Sequence, residues 1–431
     1  MAKSKSKSNG PSTSALHQPV QASTSSALTS FSPSYYAHVS LALDAHTVRI
    51  FEVASGRCVN RWAAADEQNE KVGALQWVDL QVPATEATES KRTKKRSRKS
   101  SLTNGIEGSS VADESSKKTD AASDNVSVLA LGLSDGSIIF LHPTNAGIMK
   151  RLTHASSSQP IMSLSFGAGS ANLLWSASAD GQILAWALPN SEASSGHLAG
   201  KLPAFGKEWS SVAVSYSNFQ DKAKAHILVG KHNVKIIEAE LPVPSSQLQD
   251  LPHRLIGSCT GHPSRIASLQ WITLPKSSQL AFLSIAIADR TIHFWVLKPS
   301  SNSREAEASL VATFGLDSHV HKALCASATA NNFDVAAISE QGTVSIAPVA
   351  LSIFSASEKT NGATKSPAKA KITSLRPLSE ITAKGVASSD TFIDFQSLPE
   401  QKGELRLARA GIKPQFDIVV RAIWKRARTI S

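Results

Sequence analysis

One pattern recurs along this chain and leaves few folds open to it: an apolar strand, a short polar turn, then a second strand ending on an aromatic or large apolar residue. Val39 to Leu43 runs through Asp44, Ala45 and His46 into Thr47 to Phe51. Val128 to Leu133 runs through Ser134, Asp135 and Gly136 into Ser137 to Phe140. The pattern returns as Leu173 to Ser178, Asp180-Gly181, Gln182 to Trp186, and as Phe282 to Ala288, Asp289-Arg290, Thr291 to Trp295. Two weaker copies turn at Lys231 to Asn233, between Ile227 to Val229 and Val234 to Ile237, and at Gln341-Gly342, between Val335 to Ile338 and Thr343 to Ile346. Alternating apolar and polar residues predict half-buried strands, and Asp-Gly or its substitutes supply the backbone angles of a tight hairpin.

The turns from Asp135 through Asp180, Lys231 and Asp289 to Gln341 follow one another at about 50 residues, the scale of a repeated four-strand unit. The first interval, from Asp44, is longer because it contains Pro83 to Asn125, a stretch rich in Ser, Thr, Lys and Arg. Further strands are predicted before the hairpins, at Lys71 to Val78, Pro160 to Phe166, Trp209 to Tyr216, Arg265 to Ile272 and Val320 to Ala328. Others follow them, at Arg57 to Ala63, Gly147 to Thr153, Arg254 to Thr260 and Ser309 to Phe314. Such units predict an all-β propeller, in which radially packed blades bury what no blade buries alone. Phe392 to Gln396, Glu404 to Ala408 and Phe416 to Ala422 predict a degenerate seventh blade, with ring closure expected to pair this segment with Ser34 to Ala37. The expected division is a disordered, basic, serine-rich arm at 1–30 and a propeller at 31–431, with blades 1 to 6 at about 31–350, blade 7 at about 371–425, and a disordered basic insertion at 83–125 in blade 2.

Composition supports a folded chain: 41% of residues are hydrophobic and only 18% are charged. Cys58, Cys259 and Cys325 are too scattered for a zinc spacing and too few for a disulfide framework, as expected in a reducing compartment. No apolar run follows Lys3, Lys5 and Lys7, and the most apolar stretch, Leu280 to Ala288, is about half the ~18 residues that suggest a membrane span. A soluble protein outside the secretory route is expected, and the sequon Asn125-Val126-Ser127 reads as chance.

Catalytic motifs do not survive their context. Gly132-Leu133-Ser134-Asp135-Gly136 satisfies G-x-S-x-G, but a nucleophile elbow needs a helix after the turn, and Ser137 to Leu141 reads as a strand. His319 and His321 lack a carboxylate or cysteine at a metal-binding spacing, and His262 reads as a structural hydrogen-bonding residue. There is no phosphate-binding loop or dinucleotide fingerprint. No catalytic residue, metal, cofactor or small-molecule substrate is therefore expected.

The formal charge of +11 favours anionic partners, and its placement narrows the choice. Lys91, Arg92, Lys94, Lys95, Arg96, Arg98 and Lys99 form a run that must be solvated or engaged, suited to nuclear import or to RNA phosphate contact; phosphorylation of Ser97, Ser100 or Ser101 would cut its charge. Arg421, Lys425, Arg426 and Arg428 surround Trp424 and are candidates for a second RNA contact, the alternative being a frayed basic end of the last strand. With the arm, the insertion and the final stretches set aside, the blades are net acidic.

Thr260-Gly261-His262 with Asp289 and Trp295, and Asp180 with Trp186, resemble the landmarks of a WD repeat, although no unit ends in the Trp-Asp dipeptide itself. The runs Ser40 to Asp44, Val48 to Arg57, Leu129 to Ile138 and Leu174 to Gly181 resemble the WD-repeat family of U3 small nucleolar RNA-associated (t-UTP) proteins, fifth member type, over about residues 31–430. That resemblance implies a non-enzymatic scaffold of the nucleolar small-subunit processome. Its implied partners are other U3-associated proteins and the 5′ leader of pre-ribosomal RNA. Family members usually continue into a helical assembly domain, whereas this sequence stops at Ser431. The competing expectation is a nuclear WD-repeat adaptor of another complex, a chromatin reader or a ubiquitin-ligase substrate receptor.

Overall fold

The computed structural model describes residues 29–42, 45–65, 70–82, 124–145, 147–153, 159–166, 172–188, 196–205, 211–219, 222–242, 248–272, 274, 279–286, 289–297, 306–328, 332–339, 343–355, 372–375, 379–381, 391–398, 404–410 and 415–419. The expected arm and the body of the basic insertion lie outside these residues.

The described strands group into consecutive antiparallel units. The first holds β1 (Thr29–Phe31), β2 (Tyr35–Ala42), β3 (Ala45–Glu52) and β4 (Cys58–Ala63); the second holds β5 (Val72–Val82), β6 (Asp124–Leu133), β7 (Ile138–Leu141) and β8 (Ile148–Leu152). The third has β9 (Ile161–Phe166), β10 (Leu173–Ser178), β11 (Ile183–Ala187) and β12 (His197–Leu202). The fourth has β13 (Ser211–Phe219), β14 (Lys222–Gly230) and β15 (Val234–Glu240), then the short β16 (Gln249–Asp250) and β17 (His253–Cys259). The fifth has β18 (Ile266–Ile272), β19 (Ala281–Ala286), β20 (Thr291–Leu297) and β21 (Ala306–Gly315). The sixth has β22 (Val320–Ala328), β23 (Asn332–Ser339) and β24 (Val344–Ala350), followed by the one-turn helix α1 (Ser352–Ser355), β25 (Thr373–Leu375) and β26 (Ser379–Ile381). A final sheet holds β27 (Thr391–Leu398), β28 (Glu404–Ala410) and β29 (Gln415–Val419).

Gly136 and Gly181 sit at φ 82° and 84° in the β6–β7 and β10–β11 turns, a conformation that costs any residue with a Cβ. The hairpins themselves depart from the half-buried expectation. Every residue of β7, β10 and β19 is buried, so the central strands are covered on both faces and read as near-continuous apolar runs.

The burial is shared between neighbours. Leu129, Leu131, Leu133, Ile139 and Leu141 pack with Val39, Val48 and Ile50 of the first unit, while Val128, Ala130, Ile138 and Phe140 of the same two strands pack with Ile161, Leu174, Leu184 and Trp186 of the third. The same division runs on through the third to sixth units. Each such Leu, Ile or Phe contributes about 1.5–3 kcal/mol by leaving water, and gains it only with the next unit in place.

Sheet edges are covered by two devices. On the inner strands, side chains of one unit bond the backbone of the next: Ser163 Oγ accepts from Val212 N at 3.2 Å, Ser165 Oγ from Val214 N at 3.0 Å, and Gln270 Oε1 from Cys325 N at 3.3 Å. On the outer strands, a connection from the following unit lies alongside. The strand β16 pairs parallel to β12 (Gly200 with Gln249, Lys201 with Asp250), the start of β21 pairs with Gly257 and Ser258 of β17, and β25 pairs with Ala312 to Phe314 of β21. Gly200 is required there, because a Cβ would run into Leu251. In the first unit a side chain replaces the added strand: Asn60 Nδ2 donates to the carbonyls of His142 and Asn145, both at 2.8 Å.

Ring closure differs from the expected pairing of the last segment with Ser34 to Ala37. Strand β2 is already bonded on both sides, by β1 and β3, so it has no free edge; β1 takes that place, and β27 lies beside β1 and β22.

Candidate functional site

The fifth unit holds a polar network that links two of its strands to the segment before them. Trp295 Nε1 on β20 donates to Ser284 Oγ on β19 at 2.8 Å, and Ser284 Oγ lies 2.6 Å from His262 Nε2. His262 Nδ1 lies 3.0 Å from Asp289 Oδ2, and Asp289 Oδ1 accepts from the amide and hydroxyl of Thr291 at 3.0 and 2.7 Å. The proton inventory fixes the direction: the indole donates to the serine, the serine to a neutral imidazole, and that imidazole to the carboxylate. Burial lowers the His262 pKa, which favours the neutral form. Burial would raise the Asp289 carboxyl, but hydrogen bonds from Thr291 and His262 outweigh it and hold the group below its ordinary value.

His262, Asp289 and His293 bring potential ligand atoms within 4.8 Å of one another, and this is the one such group of three among the described residues; it includes neither His319 nor His321. It is poorly built for a cation. Both nitrogens of His262 already serve Asp289 and Ser284, and the two imidazoles lie nearly parallel at 4.0 Å and 13°, so their in-plane lone pairs do not converge. The cluster holds the β19–β20 hairpin against the segment before β18, as the structural reading of His262 requires.

A reduced form recurs in the third unit, where Trp186 Nε1 on β11 donates to Ser176 Oγ on β10 at 2.8 Å and Asp180 Oδ1 accepts from Gln182 N at 3.2 Å. Sequence reading found the Asp and Trp of both networks but missed Ser176, Ser284, Thr291 and His293. The available signal was the buried serine that precedes each Trp on the neighbouring strand.

Ser134 sits in a strand–turn–strand hairpin, without the helix that follows the turn of a nucleophile elbow. Its hydroxyl accepts from Lys71 N at 2.9 Å, its amide donates to Lys71 O, and strand β7 follows its turn. Asp135 and Glu70 are occupied by Arg151, at 3.2 and 2.6 Å. Glu238 on β15 is likewise shared by Lys224 at 2.7 Å and Arg254 at 3.0 Å. These acids neutralise local cations, and Asp135 also accepts from the Ser137 hydroxyl at 2.7 Å.

Lys91, Arg92, Lys94, Lys95, Arg96, Arg98 and Lys99 lie outside the described residues, as do Arg421, Lys425, Arg426 and Arg428. Among the described residues, no helix is long and apolar enough to cross a membrane.

No protein-family model matches the chain, and no curated protein matches it. Solved structures do. A chain in the crystal structure of the mitotic checkpoint complex is similar with a TM-score of 0.51 and 15% identity, over 92% of this chain and 88% of that one. A chain in the structure of a humanized mutant of the Chaetomium thermophilum Polycomb Repressive Complex 2, bound to the inhibitor GSK126, is similar with a TM-score of 0.55 and 12% identity, over 92% of each. At such identities the likeness is one of fold. With cores shared between successive sheets and a Gly-His, Asp and Trp network in the fifth unit, the chain has the fold of a WD-repeat β-propeller.

Proposed function

We propose that this protein is a seven-bladed, non-enzymatic scaffold subunit of the nucleolar small-subunit processome, acting in pre-ribosomal RNA transcription and processing and so in maturation of 18S ribosomal RNA. The observation that carries the scaffold reading is that the acids described above bond neighbouring cations, hydroxyls or amides, and that Ser134 bonds Lys71. Such a body offers surfaces rather than chemistry. The ribosomal assignment is supported by the resemblance of Ser40 to Arg57, Leu129 to Ile138 and Leu174 to Gly181 to the t-UTP family. It is supported too by the basic run Lys91 to Lys99, which suits import and phosphate contact. The expected partners are other U3-associated proteins and the 5′ leader of the pre-ribosomal RNA, in the nucleolus.

A second reading, a nuclear adaptor in another complex, is favoured by the fold neighbours, which are chains from checkpoint and Polycomb assemblies. Purification of a tagged full chain separates the two. Recovery of U3-associated proteins with pre-ribosomal RNA supports the first; recovery of histones or a cullin in their place overturns it.

A further inference from the structure

The imidazole of His142, just after β7, accepts at Nδ1. The amides of Thr144 and Asn145 both donate to that atom at 3.2 Å, and the Thr144 hydroxyl lies 3.1 Å from it. An imidazole nitrogen accepts when it carries no proton, so these bonds need the neutral ring with its hydrogen on Nε2. They fold residues 142–145 into the kind of turn an Asn or Asp side chain makes on its own backbone, with a ring in place of the oxygen, and Pro143 is buried within it.

The same turn joins two units. The carbonyls of His142 and Asn145 are the acceptors of Asn60 Nδ2 on β4, each at 2.8 Å. The Asn60 amide commits both hydrogens there, so its hold depends on two carbonyls three residues apart being kept at one spacing, which the ring bonds maintain. The outer strands of the third, fourth and fifth units are covered instead by β16, β21 and β25, backbone to backbone. At the first unit the cover rests on histidine, the side chain type that ordinarily changes charge between about pH 5 and 8.

We infer that His142 is an acid-sensitive clip between the first two units, closed when its ring is neutral and opened by one proton. That proton adds at Nδ1 and turns an acceptor facing three donors into a fourth donor. The turn then opens, the two carbonyls separate, and Asn60 releases the second unit. The titratable and charged groups of the adjoining elements are Cys58 of β4, Glu52 and Arg57 of the connection before it, and Lys150 and Arg151 of β8. Cys58 Sγ donates to the Asn60 carbonyl at 3.4 Å, Glu52 accepts from the Ser55 hydroxyl, Lys150 stands opposite Phe140, and Arg151 is held by Glu70 and Asp135. Among the described residues the bonds of the His142 ring lie within its own turn.

The test follows amide exchange of the full chain by mass spectrometry at about pH 8 and pH 5, with rates corrected for the pH dependence of exchange itself. In peptides spanning residues 141–145, protection present at the higher pH is expected to fall more than about tenfold at the lower. In parallel, the isotope-labelled side-chain amide of Asn60, assigned by its loss in Asn60→Ala, is expected to move toward the resonance position of a hydrated carboxamide. His142→Asn and His142→Asp supply an oxygen that accepts across this range, so both are expected to hold the turn and Asn60 in acid. Both variants keep His262 and His293, so a general effect of acid would appear in them as in the parent. Circular dichroism verifies folding at each pH, and where one variant does not fold the other serves. The inference is overturned if exchange and the Asn60 resonance are the same at both pH values, if the folded variants open in acid as the parent does, or if they leave the turn open at the higher pH.

Discussion

The imidazole of His262 lies flat on that of His293, with 4.0 Å between ring centroids and 13° between planes. Burial lowers the pKa of both rings, that of His293 to about 4, with the neighbouring His262 adding to the effect. The unfolded chain, with ordinary histidines near 6.5, therefore takes up protons that the folded state refuses. Stability is full above about pH 6.5 and falls as the pH drops toward about 4, by about 2–3 kcal/mol for His293. Urea unfolding at pH 7 and 4.5 measures this. His293→Phe keeps an aromatic ring on His262 and should flatten the dependence; an unchanged slope would assign it elsewhere.

Ser284 and Ser176 each hold a buried indole N–H. Ser284→Ala leaves Trp295 Nε1 without an acceptor and His262 without its donor, and should cost about 1–3 kcal/mol. Ser176→Ala should fall in the same range through Trp186. Ser134→Ala loses an exposed bond to Lys71 and should cost less than about 1 kcal/mol. Equal losses in all three, read from urea midpoints, would refute this ranking.

Turn glycines are predicted to be sensitive by conformation alone. Gly136→Ala and Gly181→Ala place a Cβ at φ 82° and 84° and should each destabilise by about 1 kcal/mol or more. Gly315→Ala, at the end of β21 with nothing near its Cβ position, should be close to neutral in the same thermal melts.

Reversal of charge across Lys91 to Lys99 should shift the protein from nucleus to cytoplasm, since a run of that density suits import recognition. Imaging of a fluorescent fusion reads the outcome. Nucleolar retention of the reversed protein would remove the import role.

The hairpins were legible because their signal is local: Leu129 to Leu133 and Ile138 to Leu141 are apolar without interruption, and Asp135-Gly136 marks the turn between them. Strand β12 was missed because His197 to Leu202 contains Gly200, a strand breaker by propensity that is kept there so that Leu251 can approach. The short strands β16 and β25 carry no periodicity of two or three residues that could be read, and exist only because an outer edge lies ready for them. In the polar network, Asp289 and Trp295 lie close in sequence to a recognisable turn, whereas the importance of Ser284 follows from its meeting with His262, which only the fold brings about.

Among the described residues the outer strands overlap in one direction. Residues of the fourth unit lie over the third, those of the fifth over the fourth, and those past the sixth unit's hairpin over the fifth. They are laid like roof tiles, each fastened beneath the next, and the ring therefore has a sense of undoing. Loss of a later unit strips the cover from its predecessor, while loss of an earlier one leaves its successors' covers in place. Wear on this molecule, by a protease or by heat, should travel from the last units back toward the first.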